Sequence, residues 1–548
     1  MAMTRRLLLL TFSWLAAAFG RRTAAVAQTG SAADFDSGVA SGDPTDSAVV
    51  LWTRAKPRDG ASTLEVGWRV GRDEDLRDVV SRGSATTSAR RDWTVKVDVR
   101  GLEPDRWYWY EFRVGETRST RGRTRTLPTG RVDQFEIAVF SCSNYAFGYF
   151  NSYRSAAERD DLDLALHLGD YIYEYGPAGY GGDVAERLGR VHEPRKEILT
   201  VEDYRTRYAQ YRSDEDLQAL HARLPMIAVW DDHEIANNTW HSGAQNHTEG
   251  EEGTFADRKA AAVQVFHEWM PIRSRAGSAA EKIYRRHDIG DLATLIMLDT
   301  RLVGRDEQLD YDTQLDAPTA AEAERFREEL IDDPRRSMLG AEQEAWLKLE
   351  LSRSKERGVP WQILGQQLLI GGLTTPDLSD LLGGATGARI ERLRAMAEYE
   401  LPLNLDAWDG YGGARERLAQ DARSFGNNVV ALAGDTHNSW AFDLLDRRGR
   451  RFGVEFGTAS VTSPGLEQIL PLPPALLSER LRAANPHLRL ANTKDRGFMT
   501  LRLTPAECSA RWYTVDTVES RDFAEQLAHE ASVQATEGVG SAALDVRV

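Results

Sequence analysis

The residues of this chain whose types and placing could do chemistry are Cys142, Asp170, Tyr173, Asp232, Asp435 and His437. They fall in four short clusters: Ser141-Cys142-Ser143-Asn144, Gly169-Asp170-Tyr171-Ile172-Tyr173, Asp231-Asp232-His233-Glu234 and Gly434-Asp435-Thr436-His437. Taken singly, each has an ordinary explanation. A lone Cys142 is a small buried hydrophobe, Gly-Asp after a strand is a turn or a helix cap, Tyr173 is packing, and Asp231 with Asp232 is a solvated pair. Two adjacent acids followed by His233-Glu234 at the end of an apolar run fit those readings poorly, because burying like charges is costly unless a cation neutralises them. Together the four clusters point to a metal centre built from hard carboxylates and softer thiolate, phenolate and imidazole donors.

Each cluster directly follows an apolar run: Ile137–Phe140, Leu164–Leu168, Met226–Trp230 and Val429–Ala433. Leu295–Leu298 and Trp361–Leu364 are further runs of the same kind. Continuous apolar strands are covered on both faces, and α/β sheets form their sites just beyond the strands' carboxyl ends. The region 131–520 is therefore expected to be an α/β catalytic domain, with helices such as Asp257–Trp269 packed outside its sheets. Upstream the texture is different. Ala48–Trp52, Leu64–Trp68, Trp93–Val99 and Trp107–Val114 read as short half-buried strands separated by turns, so residues 33–126 are expected to form a small β-sandwich of fibronectin-III-like type. Residues 118–130 read as a linker or final strand, 241–253 and 371–387 as surface loops, and 521–548 as a helical tail.

Thr4-Arg5-Arg6 precedes an apolar run from Leu7 to Phe19, and Ala25-Val26-Ala27 offers a small-residue cleavage site. Residues 1–27 are thus expected to be a twin-arginine signal peptide, read by the twin-arginine export machinery and placing the protein in the periplasm, the cell wall or outside the cell. That segment carries four arginines and no acid, so removing it takes the formal charge from −16 to −20. Such an acidic chain does not track nucleic-acid backbones over a broad face. No later run is long and apolar enough to span a bilayer. Two cysteines, Cys142 and Cys508, are too few for a disulfide framework.

The succession Cys-x-Asn, Gly-Asp-x-x-Tyr, Asp-Asp-His-Glu and Gly-Asp-x-His resembles the PhoD-type alkaline phosphatases, a branch of the calcineurin-like metallophosphoesterases. The opening Ser37-Gly38-Val39-Ala40-Ser41-Gly42-Asp43-Pro44 and Leu298-Asp299-Thr300-Arg301 are similar to that family too. The resemblance implies an α/β/β/α sandwich and a centre of Fe(3+) beside Ca(2+). Cys142 and Tyr173 would suit the iron, with His437 joining them, Asp232 and Asp435 would suit the calcium, and Asp170 would bridge. The expected reaction is in-line attack on a phosphate ester by a metal-bound hydroxide. His233 is the candidate for protonating the leaving oxygen, Asn144 for donating to a phosphoryl oxygen, and Arg301 for a further catalytic role. Asn237 or Asn238 adds an amide ligand or caps a loop. Monoesters and diesters both fit, including a phospholipase D-type diesterase. A non-catalytic extracellular binding protein with stapling metals is the alternative from another class.

Overall fold

The computed structural model describes residues 32–274, 280–315, 318–378, 380–381, 387–469, 472–536 and 543–547. The export segment expected at 1–27 lies outside them.

Two sheets carry the chain. The first has ten strands, in the order Asp545–Arg547, Glu525–Gln534, Glu507–Val515, Arg496–Leu503, Phe135–Phe140, Leu164–His167, Met226–Ala228, Val39–Gly42, Ala48–Arg54 and Thr94–Arg100. The second has seven, in the order Arg285–Ile289, Ala293–Met297, Trp361–Gly365, Val429–Ala433, Arg451–Gly457, Ser439–Leu445 and Leu488–Asn492. The apolar runs of the sequence form their parallel centres: Phe135–Phe140, Leu164–His167 and Met226–Ala228 in one, and Ala293–Met297, Trp361–Gly365 and Val429–Ala433 in the other.

Successive side chains of a strand point to opposite faces, and that alternation divides the core. Leu295, Ile363 and Val430 pack with Val139, Leu166 and Ile227 of the first sheet, so the sheets face each other across one apolar layer. Their neighbours Ile296, Leu364 and Ala431 point the other way, onto helices Gly340–Glu356, Gly412–Phe425 and Pro474–Ala484 through Leu347, Leu418 and Leu477. Helix Phe255–Trp269 begins two residues before the run read from the sequence, with Thr254 accepting from the Asp257 amide as its cap. Together with helix Val201–Tyr211 it covers the outer face of the first sheet through Tyr208, Phe266 and Trp269.

The N-terminal strands make a further sheet, in the order Gly122–Arg125, Trp107–Val114, Thr63–Gly71 and Val79–Ser88, with Thr117–Arg118 paired at its edge. It packs Val66, Tyr110 and Phe112 against Val49, Leu51 and Val95. Those last three belong to strands of the ten-stranded sheet, which they join where Gly42 pairs with Met226. The N-terminal region is therefore continuous with the catalytic sheet, a long-range pairing that leaves no local mark in the sequence.

The C-terminal segment differs from expectation. Residues 521–548 were to be a helical tail, yet Glu525–Gln534 is a strand paired along its length with Glu507–Val515, and Asp545–Arg547 pairs beyond it. Glu525-Gln526-Leu527-Ala528 favours a helix by intrinsic propensity, but that preference is a few tenths of a kcal/mol per residue and a free sheet edge overrides it.

Asp43 locks the seam between the two main sheets. It ends strand Val39–Gly42 with φ 43° and accepts from Arg285 Nε and Nη2 at 2.9 and 2.7 Å and from the Arg273 amide at 2.7 Å. Burial pushes its carboxyl up, but Arg285, His287 and the Arg273 amide outweigh that and hold it below its ordinary 3.8. A carboxyl held low stabilises the fold fully above its unfolded value, and the contribution fades as pH falls through the lowered one. Asp43→Asn is expected to destabilise the protein by about 3 kcal/mol, the lower end for breaking one side of a buried ion pair, in urea unfolding at neutral pH. The variant should also lose less stability than the parent as pH drops below 3.8.

Candidate metal centre

The chain turns sharply at three of the four strand ends. Cys142, Asp170, Asp435 and His437 all have φ between 55° and 62°, and Asn238 has φ 51°. A left-handed conformation costs a non-glycine residue on the order of 1–3 kcal/mol and persists only where the surroundings over-determine it. The glycine before each Gly-Asp pair shows what does so here. A Cβ on Gly169 would sit 2.4 Å from the Asp231 amide nitrogen, and one on Gly434 would sit 2.4 Å from Ser141 Oγ. Gly169 thus packs against the backbone of a neighbouring loop of its own sheet and Gly434 against Ser141 of the other sheet, approaches that only glycine permits.

Glu234 ties two of these loops together. Its Oε2 accepts from the amides of Asp170 at 3.0 Å and Asp231 at 2.9 Å, and its Oε1 from that of Tyr171 at 2.7 Å. Gln367 does the same across the second sheet, accepting from Thr300 Oγ1 at 2.6 Å and donating to the Trp230 carbonyl at 2.8 Å.

The result is a compact set of donors. Cys142, Asp170 and His437 bring ligand atoms within 4.8 Å of one another, as do Asp170, Asp232 and His233, and Asp231, Asp232 and Asp435. Tyr173 Oη joins the first group, 3.0 Å from Asp170 Oδ2 and 3.3 Å from His437 Nε2. His437 Nδ1 donates to the Pro464 carbonyl at 2.7 Å, which leaves Nε2 as the coordinating nitrogen. All six predicted ligands are therefore together. Cys142 and Cys508 are both buried free thiols.

The electrostatics of the set call for a cation. Burial, reinforced by neighbouring acids, drives Cys142, Tyr173 and Asp170 well above their ordinary values and Asp435 up to about 7. Asp232 is the exception: burial raises it, but Arg301, His233 and the Asn238 amide hold its carboxyl at about 2. Asp231 Oδ2 and Asp232 Oδ1 are buried with no hydrogen-bond partner. Orphaned carboxylate oxygens beside a thiol, a phenol and an imidazole fit bound metal ions, which would satisfy those oxygens and reverse the upward shifts.

Arg301 does not face a substrate. It is fully buried, and its nitrogens reach Asp231 at 2.5 Å, Asp406 at 2.8 Å, Asp435 at 2.9 Å and Asp232 at 3.4 Å. The catalytic role expected of it is corrected to a positioning one, because every arm of the guanidinium is taken by a carboxylate. Asn144 is also buried: its Oδ1 caps the turn Tyr145–Phe147 and its Nδ2 has no partner. His233 Nδ1 lies 2.7 Å from Glu174 Oε2, and its ring stacks on Tyr173 with centroids 4.2 Å apart. Asn238 offers its amide N–H to Asp232, and the side chains of Asn237 and Asn238 both donate to Gln245.

Sequence reasoning passed over Glu174, Asp406 and the part played by Asp231. Glu174 also accepts from the Asn237 amide at 2.7 Å and Asn246 Nδ2 at 2.9 Å. Its position next to Tyr173 in a fully buried run was the available signal; Asp406, in a loop without pattern, had none.

Beside the cluster lies a cavity of about 610 Å³ that exposes His233, Asp435 and His437 at one end. Among the described residues no helix is long and apolar enough to cross a membrane.

Residues 137–512 match the family model of the PhoD-like phosphatases, and residues 21–128 match that of the PhoD-like phosphatase N-terminal domain. Alkaline phosphatase D of Bacillus subtilis (strain 168) is 35% identical over 492 residues, covering 87% of this chain and 76% of that protein. A solved structure described as the structure of PhoD superposes with a TM-score of 0.77 at 33% identity, covering 93% of this chain and 92% of the other. The chain belongs to the PhoD-like phosphatase family, and with it to the phosphoric ester hydrolases.

Proposed function

We propose that this chain is an exported alkaline phosphatase of D type that cleaves phosphomonoesters and phosphodiesters at a two-metal centre. Cys142, Asp170, Tyr173 and His437 would hold ferric iron, and Asp232 and Asp435, with Asp170 shared, would hold calcium. The observation that carries this reading is that Asp170 belongs to two of the three donor groups and Asp232 links it to the third, beside a cavity that His233, Asp435 and His437 line. When bound, the metals supply Lewis acidity, lowering the pKa of water and neutralising charge on the phosphoryl group. The binding-protein alternative falls with membership of a hydrolase family.

The protein's own residues do the rest. Glu174 holds His233 by Nδ1, so Nε2 is the nitrogen that carries a proton for the leaving oxygen. The unpartnered Asn144 Nδ2 is the donor for a phosphoryl oxygen. Arg301 fixes the carboxylates of three loops. Ser141 and Ser143 are structural: Ser141 Oγ contacts Cys142 Sγ at 2.7 Å, and Ser143 Oγ bonds the Asp170 and Tyr171 carbonyls. The proposed displacement is in line and direct, without a covalent phosphoenzyme. The fold reading that accompanies this is a fibronectin-III-like N-terminal sandwich leading into an α/β/β/α domain. The leader at 1–27 is read by the twin-arginine machinery.

Metal analysis of the purified protein should find iron and calcium, with a visible tyrosinate-to-iron band that disappears in Tyr173→Phe and activity that a chelator removes and added metals restore. Zinc alone, or activity indifferent to both Cys142→Ala and Tyr173→Phe, would sink the ligand assignment. His233→Asn should lower kcat by about 10²–10⁴-fold on an alkyl phosphate and far less on 4-nitrophenyl phosphate, whose leaving group needs no proton. Glu174→Gln should show the same pattern more weakly; equal losses on both substrates would remove the proton role.

A further inference from the structure

A groove of about 700 Å³ lies between the outer face of the N-terminal sheet and helices Asn151–Ala157 and Glu215–Arg223. Along strand Trp107–Val114 the side chains alternate. Tyr108, Tyr110 and Phe112 enter the core of the N-terminal region, so Trp107 and Trp109 stand on the opposite face, where both are half-buried and line the groove. Strand Gly122–Arg125 runs beside them, with Arg123 opposite Trp109 and Arg125 opposite Trp107. The helices add Arg154 and Arg223 from the other side. None of these residues lines the cavity beside the metal cluster.

Most of the charge around the groove is matched internally. Arg223 bonds Asp160, Arg521 bonds Asp216, and Arg125 bonds both Asp105 and Asp163. Arg123 is different. Among the described residues no carboxylate comes within ion-pair distance of it, although its guanidinium lies over the Trp107 ring, 3.5 Å from the centroid. Burial first, then Arg223 and Arg125, lower its pKa to about 10 against the opposing pull of Asp160 and Asp163. Arg125 supplies the comparison: it lies over the same ring and has two carboxylates as well. A guanidinium that only braced the sheet would be completed in that way, so Arg123 keeps the aromatic contact and lacks an anion. Arg223 Nε is likewise buried without a hydrogen-bond partner.

Trp109 presents the other half of the recognition chemistry. Among the described residues its indole has no stacked ring or cation. An indole face suits the C–H face of a pyranose ring, a half-buried guanidinium suits an anion that it can grip with two N–H groups, and the exposed Glu74 and Glu158 of the groove suit sugar hydroxyls as acceptors. We propose that this groove binds an acidic glycan at a site separate from the metal centre, with a pyranose ring against Trp109 and its anionic group on Arg123.

The test is calorimetric titration of the metal-loaded protein with three oligosaccharides: trigalacturonate, which carries carboxylates, a carrageenan tetrasaccharide, which carries sulfates, and neutral maltotriose. At least one acidic oligosaccharide should bind, and which one does so identifies the anionic group. Arg123→Gln should weaken that binding about ten- to a hundredfold, the scale of a lost hydrogen bond to a charged group. Trp109→Ala should weaken it about tenfold, and Trp109→Tyr, which keeps an aromatic face, should lose far less. Hydrolysis of 4-nitrophenyl phosphate should be unchanged in all three variants, which also shows that they are folded. Failure of both acidic oligosaccharides to bind the parent protein overturns the proposal. So does binding that Arg123→Gln and Trp109→Ala leave intact, since that places the sugar elsewhere, or maltotriose binding as tightly as the acidic ligands.

Discussion

Everything at this centre depends on keeping like charges together in a place where water cannot screen them. Asp170 lies beside Asp232, which lies beside Asp231 and Asp435; the first three are buried and Asp435 is half-buried. At an effective dielectric of about 20, two carboxylates 4–5 Å apart repel by about 3–4 kcal/mol, so several together would open the loops that carry them. Arg301 is placed against this, with the imidazole of His233 beside Asp170 and Asp232. The guanidinium bridges Asp231 and Asp232 at one sheet to Asp406 and Asp435 at the other. These two groups do not offset burial and the four acids, which drive the carboxyls of Asp170 and Asp231 well above and that of Asp435 above their ordinary values. The same shortage of positive charge favours the binding of cations.

That arrangement sets what the backbone must do. The carboxylates sit on loops leaving the carboxyl ends of strands in two sheets packed face to face, so these loops must approach closely beyond the strand ends. Gly434 allows one sheet's loop to reach Ser141 of the other, Gly169 brings two loops of the first sheet together, and the chain is left-handed at Cys142, Asp170, Asp435 and His437. Strain of this kind is held in place by hydrogen bonds from Glu234 and Gln367, which run between loops rather than within them. Asp43 performs the equivalent task farther away, binding the edge strand of one sheet to the other through Arg285.

Much of this was legible in the sequence because burial on both faces leaves an unmistakable signature. Runs such as Val429–Ala433 have no polar face, and the residues that follow them are in consequence the first that can be polar. The six ligand candidates were found by that logic and lie together. Glu525–Gln534 was misread because its alternation is masked by good helix formers, and only the free edge of Glu507–Val515 decides its state. The continuity of the N-terminal strands with the catalytic sheet rests on a pairing between Gly42 and Met226 that no local pattern encodes. Arg301 is a related case. Its place in Leu298-Asp299-Thr300-Arg301 is all that the sequence offers, and its capture by carboxylates can be seen only once Asp406, over a hundred residues away, is folded against it.

The two ends of the cavity are built from different kinds of structure. The end that His233, Asp435 and His437 line consists of strand termini locked by buried polar contacts, where a change at one residue disturbs several loops. Leu373, Leu393, Met396 and Leu403, with Leu466, come from loops and helices outside the four donor clusters. The first end is maintained by balanced buried charge and the second by apolar burial, so a change in the apolar lining leaves the carboxylates, the guanidinium and the glycine contacts in place.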